Sequence, residues 1–383
     1  GGATPQLLAV DHTPAGLGLA WQMPELTDAH IAFLQYTSGS TSTPKGVQVS
    51  HGNLLANERL IRHGLGICAD DVMVSWLPLF HDMGLIGGLL QPIYSGIPCV
   101  LMSPRYFLER PRRWLEAISR YGGTVSGGPD FAYRLCCERI GEGAMEGLDL
   151  SRWRLAFSGS EPIRPDTLER FATTFARVGF DADALYASYG LAEATLFVAG
   201  GQRGKGIGLL EVDPTALASN LGRPGRGTLL VSCGHLQPEH EVQLVDPYSG
   251  ASLGPGQVGE IWSSGPSVAL GYWRNPEASE RAFVERDGRV WLRTGDLGFL
   301  HNDELYVTGR LKDMIIVRGQ NLYPQDLERC VEEEVDVVRK GRISAFAVEH
   351  NGREGIGIAA EIGRSVRKLI PAAALIKAIS AAV

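Results

Sequence analysis

The sequence lacks several patterns that define specialised classes of protein. Its six cysteines include no Cys-x-x-Cys pair, and no histidines cluster at the spacing of a zinc site. Most of the cysteines stand in apolar runs, so we expect buried, reduced thiols and a cytoplasmic protein. No apolar stretch reaches the length of a transmembrane helix, so we also expect no membrane span.

The chain also lacks an excess of positive charge. Its 36 Lys and Arg residues stand against 43 Asp and Glu residues, which gives a net charge of −7. This balance is not the electrostatic footprint of a nucleic-acid-binding protein, so we expect no nucleic acid partner. It does not exclude ATP, because a local glycine-rich loop and a few cations can hold phosphates on an acidic protein.

Glycine and proline are abundant, with 48 Gly and 21 Pro among 383 residues, and they divide the chain into many short elements. In the first half, short strand-like and helical patterns alternate, which favours an α/β fold with a parallel sheet flanked by helices. The strand-like runs lie at 31–36, 72–77, 97–102, 123–126 and 153–157. The helical patterns lie at 52–64, 83–94, 110–121, 130–140 and 165–178.

The pattern changes twice further along the chain. After about residue 228, short strand-like runs predict a small β-rich subdomain over 228–308 within a large domain at 1–310. Beyond it, a strand at 314–317, a helix at 324–335 and paired strands at 343–349 and 355–362 predict a small α+β C-terminal domain, covered in part by 311–383. Both ends of the chain read as if a longer protein continues there.

The strongest chemical signal is the run Thr-Ser-Gly-Ser-Thr-Ser-Thr-Pro-Lys-Gly at residues 37–46. Small residues let the backbone approach a polyphosphate, hydroxyls and amide groups donate hydrogen bonds, and a lysine adds a cation. We interpret it as an anion-binding loop that follows a strand and precedes a helix. It is not a Walker A motif, because Pro44 and Gly46 replace defining residues. Its candidate phosphate ligands are Thr37, Ser38, Gly39, Ser40, Thr41 and Lys45.

With four further motifs in order, this loop resembles the acyl-adenylate-forming superfamily, which includes acyl-CoA synthetases and peptide-synthetase adenylation domains. Ser-Gly-Ser-Glu-Pro at 158–162 resembles the adenine-site loop, and Tyr-Gly-Leu-Ala-Glu at 189–193 resembles the aromatic-to-glutamate motif. Thr-Gly-Asp at 294–296 resembles the ribose motif, and Gly-Arg-Leu-Lys-Asp at 309–313 resembles the hinge. The resemblance implies the superfamily's fold and ATP as a substrate.

The resemblance also implies roles for individual residues. Tyr189 would stack on adenine, while Asp296 and Arg310 would hydrogen-bond the ribose. Glu193, with Thr41, would hold a Mg²⁺ ion that bridges the phosphates. Lys45, His81 and Glu193 are the catalytic candidates. Further nucleotide contacts fall on Gly159, Ser160, Glu161 and Gly190, and the hinge residue is Lys312.

Several stretches resemble the fatty acyl-AMP ligases within the superfamily, at 76–85, 127–133, 189–196, 265–273 and 319–324. That branch implies activation of a fatty acid with ATP to acyl-adenylate and pyrophosphate, for transfer to the phosphopantetheine thiol of an acyl carrier protein. In that family an insertion after the glutamate motif hinders the rotation that admits CoA. The matching segment here is 200–226, for which a plain surface loop is the alternative.

The acyl pocket of the family maps onto Phe80, Asp82, Leu85, Phe131 and Tyr133. His81 would position the fatty carboxylate, or would be only a hydrogen-bonded pocket histidine. Asp82 leaves a rival open, since peptide-synthetase adenylation domains hold the substrate amine with an aspartate near this place. The surrounding Phe-His-Asp-Met-Gly pattern favours the fatty-acid branch.

The resemblance is incomplete at both ends. The family's large domain begins well before its phosphate loop, and the late lysine that closes over the site has no match in Lys368 or Lys377. We therefore expect a fragment that keeps nucleotide contacts but adenylates poorly. An acyl-CoA synthetase, an amino-acid adenylation domain and a non-catalytic module that binds nucleotide or carrier protein remain alternatives.

Overall fold

A computed structural model describes residues 12, 14, 16–37, 44–317, 320–350, 353–363 and 370–383, apart from the side chains at 349, 350 and 353. In this part of the chain, no helix combines the length and the apolar character needed to cross a membrane. The expectation of buried thiols is wrong for Cys68 and Cys330, which are exposed.

A hairpin carries the ends of the predicted phosphate loop. Strand β1 (Ile31–Thr37) pairs antiparallel with β2 (Lys45–Ser50), and Thr37 lies opposite Lys45. Helix α1 (His51–Gly64) follows, capped by the Ser50 hydroxyl, which accepts a hydrogen bond from the Asn53 amide. The helix predicted at 52–64 is thus present, and β2 lies between it and the loop because the β-branched Val47 and Val49 alternate into the core.

The predicted parallel sheet is confirmed. Five strands lie side by side in the order β4-β3-β5-β6-β7, and the first four of these five pair with their next neighbour in parallel. All residues of β3, β5 and β6 are buried, as expected for a sheet covered on both faces. The bounds are β3 (Met73–Ser75), β4 (Cys99–Leu101), β5 (Val125–Gly128), β6 (Leu155–Ser158) and β7 (Leu185–Gly190).

The helices between these strands also follow the predicted pattern, with one difference. The helix expected over 83–94 is a π-helix at Met83–Leu90 that continues as α2 (Gln91–Ser95). A Cβ at Gly84 would lie 2.1 Å from the Pro78 carbonyl oxygen, so this close approach requires glycine. The other helices are α3 (Pro104–Glu109), α4 (Arg112–Tyr121), α5 (Asp130–Arg139) and α6 (Pro165–Phe175).

The strands of the predicted β-rich region extend the same sheet. From β7 the order continues β8-β11-β16-β15-β13-β12 with antiparallel pairing, and β14 lies against β15. The bounds are β8 (Phe197–Gly200), β11 (His235–Leu236), β12 (Glu241–Val245), β13 (Gly259–Ser264), β14 (Phe283–Arg286), β15 (Arg289–His301) and β16 (Glu304–Arg310). A separate pair, β9 (Leu209–Val212) with β10 (Thr228–Val231), flanks α7 (Pro214–Ala218), and α8 (Pro276–Ala282) precedes β14.

The remaining elements form the expected α+β unit. The predicted helix and the predicted strand pair are present as α9 (Pro324–Glu334) and as β19 (Val338–His350) with β20 (Arg353–Ile362). A short hairpin of β17 (Ile315–Val317) and β18 (Gln320–Leu322) precedes them, and α10 (Ala372–Ala382) follows. The domain boundaries at 228 and 310 stay predictions.

Candidate active site

The three residues assigned to the nucleoside come together, with one on β7 and two on the antiparallel strands β15 and β16. Asp296 on β15 lies opposite Arg310 on β16, with 3.2 Å between Arg310 Nε and Asp296 Oδ1. The Tyr189 hydroxyl, at the end of β7, donates to Asp296 Oδ2 at 2.8 Å. Burial raises the pKa of Asp296 and the charge of Glu193 adds to this, while Arg310 and Tyr189 act in the opposite direction.

Tyr189 also lines a cavity that is open to solvent and has a volume of about 50 Å³. Gly159, Ser160, Tyr189 and Gly190, all assigned to the nucleotide by sequence, stand on its wall. A Cβ at Gly159 would lie 2.8 Å from the Ser188 hydroxyl, which explains the need for glycine there. The structure therefore joins the adenine-loop residues and the aromatic motif around one space.

Glu161, the remaining adenine-loop candidate, faces elsewhere. Its Oε1 accepts a hydrogen bond from the Phe131 amide at 2.6 Å, at the start of α5. It therefore ties the loop after β6 to the loop after β5, and the described wall of the cavity does not include it.

A second cluster, formed by Lys45, Tyr272 and Glu193, lies beside the β1–β2 hairpin. Lys45, the first residue of β2, places its Nζ 4.8 Å from the centroid of the Tyr272 ring. The Tyr272 hydroxyl donates to Glu193 Oε1 at 2.7 Å. Tyr272 belongs to the stretch 265–273 that resembles the fatty acyl-AMP ligases, but the sequence alone predicts no chemical role for it.

Glu193 supplies a carboxylate of the kind that can bind a magnesium ion shared with phosphates. The described residues contain no group of three or more side chains that could hold a metal by themselves. Mg²⁺ commonly takes one or two carboxylates and completes its shell with phosphate oxygens and water. Glu193 supplies one such carboxylate. Thr41, together with Ser38, Gly39 and Ser40, lies outside the described residues.

His81 and Asp82 form a close pair before the π-helix. His81 Nδ1 lies 2.6 Å from Asp82 Oδ1, and the same oxygen accepts a hydrogen bond from the Met83 amide at 2.6 Å. The hydrogen bond to Asp82 raises the pKa of His81, although burial opposes it. The Gln35 side chain on β1 donates to the Phe80 carbonyl at 2.8 Å, so the hairpin holds this turn in place.

None of the predicted acyl-pocket residues lines the cavity, and their assignment stays a prediction. Tyr133 is fully buried between Trp114 and Phe171 in the core, and its hydroxyl donates to the Phe157 carbonyl. Phe131 packs edge-on against Trp76, Leu85 is half-buried, and Phe80 is 83% exposed. The apolar wall of the cavity instead comes from Ile61, Leu65, Met83, Phe157, Leu196 and Phe197. These residues come from segments far apart in sequence, which a local pattern does not connect.

The segment 200–226 is anchored and has regular structure of its own, namely β9 and α7. The Arg203 guanidinium forms two hydrogen bonds to the fully buried Asp71 carboxylate, at 2.7 and 2.8 Å. Burial would raise the pKa of Asp71, but the hydrogen bonds from Arg203, the Cys68 amide and Thr124 hold it well below its usual range. Further along, Asn220 Oδ1 accepts a hydrogen bond from Asn321, which lies beyond the hinge.

Comparison with known proteins defines the class. Residues 8–273 match the family model described as AMP-binding enzyme, which is well over half of the chain. The chain belongs to the AMP-binding enzyme family, and the resemblance to adenylate-forming enzymes is confirmed.

More specific similarity follows from individual relatives. The chain is 44% identical over 371 residues to the medium-chain-fatty-acid–[acyl-carrier-protein] ligase JamA of Moorena producens, which covers 94% of this chain and 63% of the relative. It is 41% identical to the putative fatty-acid–CoA ligase fadD25 of Mycobacterium tuberculosis, over 85% of this chain and 58% of the relative. The chain thus spans less than two thirds of these curated relatives.

A solved structure shows the same architecture. The fatty acyl-adenylate ligase from L. pneumophila, in complex with acyl adenylate and pyrophosphate, superposes with a TM-score of 0.79 at 41% identity. The match covers 98% of this chain and 67% of that protein. The predicted fold and the resemblance to fatty acyl-AMP ligases are confirmed by this similarity.

Proposed function

We propose that the protein activates a fatty acid with ATP, forming acyl-adenylate and pyrophosphate, and passes the acyl group to the phosphopantetheine thiol of an acyl carrier protein. The observation that carries this proposal is the position of Tyr189, which lines a largely apolar cavity and donates a hydrogen bond to Asp296, the partner of Arg310. An adenosine site next to an alkyl-binding space suits a mixed anhydride of a fatty acid and AMP. The names of the relatives support the same chemistry.

The cavity suits an alkyl chain better than an amino acid. Ile61, Leu65 and Leu196 supply apolar walls, and burial of a methylene group is worth about 0.8 kcal/mol. None of the described residues on the cavity wall carries a charged side chain that could pair with an α-amino group. Asp82, the residue that left the amino-acid alternative open, is bound to His81 and the Met83 amide.

The reaction is an in-line displacement. A fatty carboxylate oxygen attacks the α-phosphorus, the bond to the β-phosphate oxygen breaks, and pyrophosphate leaves with the electron pair. The protein's task is alignment and charge stabilisation, and alignment alone can supply about 7–11 kcal/mol. We assign phosphate binding to Lys45 and metal binding to Glu193; the Mg²⁺ ion would neutralise phosphate charge when bound. His81 would orient the carboxylate.

The ribose would replace contacts that already exist within the protein. Asp296 accepts from Tyr189 and pairs with Arg310, so its two oxygens are already aligned to accept from two hydroxyls. The Arg310 side chain is 57% exposed and can turn to the sugar. Gly159, Ser160, Glu161 and Gly190 keep their proposed part in shaping the adenine side.

For the acceptor, we propose that the segment 200–226 disfavours CoA. It is fixed to the sheet through Arg203 and Asp71, and it touches Asn321 beyond the hinge residue Lys312. A fixed contact on both sides of the hinge would resist the rotation that opens the site to CoA.

The test is fatty-acid-dependent formation of acyl-AMP from labelled ATP by the natural full-length protein, with and without CoA. Acyl-AMP that accumulates and transfers to a carrier-protein thiol, but not to CoA, supports the proposal. Rapid conversion to acyl-CoA assigns the protein to the CoA synthetases. Pyrophosphate exchange that depends on amino acids, or no adenylate with any acid, overturns the proposed substrate.

A further inference from the structure

The segment 269–273 connects the two sides of the phosphate end of the site. Its backbone pairs with β2, since the Gln48 amide donates to the Gly271 carbonyl at 2.9 Å and the Trp273 amide donates to the Gly46 carbonyl at 2.7 Å. On the other side, the Ala269 amide donates to the Glu193 carbonyl at 2.9 Å. The segment therefore fixes the strand that begins with Lys45 relative to the turn that carries Glu193.

The side chain of Tyr272 makes the same connection. The ring faces the Lys45 ammonium group at 4.8 Å, a cation–π distance, and the hydroxyl donates to Glu193 Oε1 at 2.7 Å. Tyr272 is 6% exposed, packs edge-on against Phe283, and donates its amide to the Ser279 hydroxyl. Its position is thus set by packing and by hydrogen bonds that do not involve Lys45 or Glu193.

This arrangement has two consequences for charge. The hydrogen bond fixes the Glu193 carboxylate in one orientation and uses Oε1, so Oε2 is left for a cation. The ammonium group contacts the ring, while the carboxylate contacts the hydroxyl of the same side chain. Among the described residues, Lys45 forms no ion pair with a carboxylate, so its charge remains available to a phosphate.

We propose that Tyr272 is a positioning residue for the metal–nucleotide complex, holding Glu193 for the cation and keeping Lys45 apart from it for the phosphates. This inference rests on the proposed function of the site. It adds a residue that acts through Glu193 and Lys45 without touching the reacting atoms.

The test is calorimetric binding of ATP to the natural full-length protein, with and without Mg²⁺, compared with Tyr272→Phe. The phenylalanine keeps the ring beneath Lys45 and removes only the hydroxyl. We expect the affinity for metal-free ATP to stay within about twofold, and the gain in affinity from Mg²⁺ to fall by about tenfold, as for loss of a hydrogen bond to a charged group. Tyr272→Leu, which also removes the ring, should weaken metal-free ATP binding as well.

Two controls separate positioning from general damage. Tyr248→Phe changes a tyrosine that is 77% exposed and should alter neither affinity. In a Glu193→Gln background, Tyr272→Phe should have no further effect on the Mg²⁺ gain, because the carboxylate that Tyr272 would hold for the cation is already absent. An unchanged Mg²⁺ gain in Tyr272→Phe, or an additive loss in the double variant, overturns the inference. Absence of any Mg²⁺ gain in the unaltered protein would instead contradict the proposed role of Glu193.

Discussion

Tyr189 and Asp296 join the two halves of the large sheet, since the hydroxyl at the end of β7 donates to the carboxylate on β15 at 2.8 Å. The same carboxylate pairs with Arg310. Under the proposed function, each oxygen of this buried carboxylate would accept a hydrogen bond from one ribose hydroxyl.

Replacement of Asp296 by asparagine tests that assignment. The amide keeps the shape but loses the charge, so we expect affinity for ATP to fall by about 10- to 100-fold, as for loss of one or two charge-assisted hydrogen bonds. Binding is measured by calorimetry, with Asp303→Asn in an exposed turn as the matched control. Unchanged ATP affinity, with an unchanged melting temperature, would remove Asp296 from the nucleotide site.

Glu58 predicts a pH dependence of stability. Its side chain is buried on α1, Oε1 has no hydrogen-bond partner among the described residues, and burial raises its pKa to about 8. Because the pKa is higher in the folded state, the stabilisation is complete below about pH 4.5 and is lost as pH rises through about 8.

Glu58→Gln should therefore reduce the loss of stability that accompanies rising pH. A pKa that differs by one between the folded and unfolded states corresponds to roughly 1.4 kcal/mol, so between pH 6 and pH 8.5 the unaltered protein should lose a few kcal/mol more than the variant. Urea unfolding at both pH values measures the difference, and Glu280→Gln at an exposed position serves as the control. Parallel curves for the Glu58 variant and the unaltered protein would show that Glu58 is charged in the folded state.

Arg203→Met tests the anchor of the segment 200–226. The change leaves the buried Asp71 with only Thr124, the Cys68 amide and the more distant Arg154, so we expect a loss of about 3 kcal/mol in the free energy of unfolding. The low pKa of Asp71 gives stability that is present above its unfolded value and lost as pH falls, so this acid-induced loss should begin at a higher pH in the variant.

Two further variants test whether that loss of stability comes from the ion pair between Arg203 and Asp71. Asp71→Asn combined with Arg203→Met should recover part of the loss, because no buried charge is then left without its partner. Arg226→Met changes an exposed arginine of the same segment and should be nearly neutral. A loss in Arg203→Met no larger than in Arg226→Met would mean that the ion pair does not anchor the segment.

Gly87 predicts a change in chain-length preference. It lies on the cavity wall, and a Cβ there would stand 3.3 Å from Leu196 Cδ2. Gly87→Val should reduce the space for the chain, so activity with long fatty acids should fall by about tenfold relative to short ones, on the scale of one or two buried methylenes. The ratio of kcat/KM across a series of acids measures this. Gly141→Val is the control, because a Cβ at Gly141 meets no atom within 4 Å. An equal loss of activity with fatty acids of all chain lengths in Gly87→Val would place the alkyl chain elsewhere.

The sequence predicted the parallel sheet and its helices well, because both depend on local patterns, while the roles of the nucleoside residues stay predictions. The buried strand β6, for example, contains the short apolar run Leu155-Ala156-Phe157 shortly before a glycine. Tyr189, Asp296 and Arg310 were assigned separately, and the fold brings them into contact.

Local sequence patterns could not predict the apolar wall of the cavity or the contacts of Tyr272, for a physical reason. Ile61 on α1 and Leu196 before β8 read as ordinary core residues, and only the tertiary packing leaves a space between them. Tyr133 and Phe131 are aromatic and lie next to a motif, yet Tyr133 is taken up by the core around Trp114. Tyr272 acts through a ring and a hydroxyl aimed at two distant segments, which no spacing in the sequence reveals.

The most direct test of the central claim is binding of a fatty acyl sulfamoyl adenosine, a stable mimic of acyl-adenylate, to the natural full-length protein. The account predicts tight binding that competes with ATP, weakens when the acyl chain is removed, and is lost in Asp296→Asn. Absence of binding, or binding that does not depend on the acyl chain, would contradict the claim that this cavity holds a fatty acyl-adenylate.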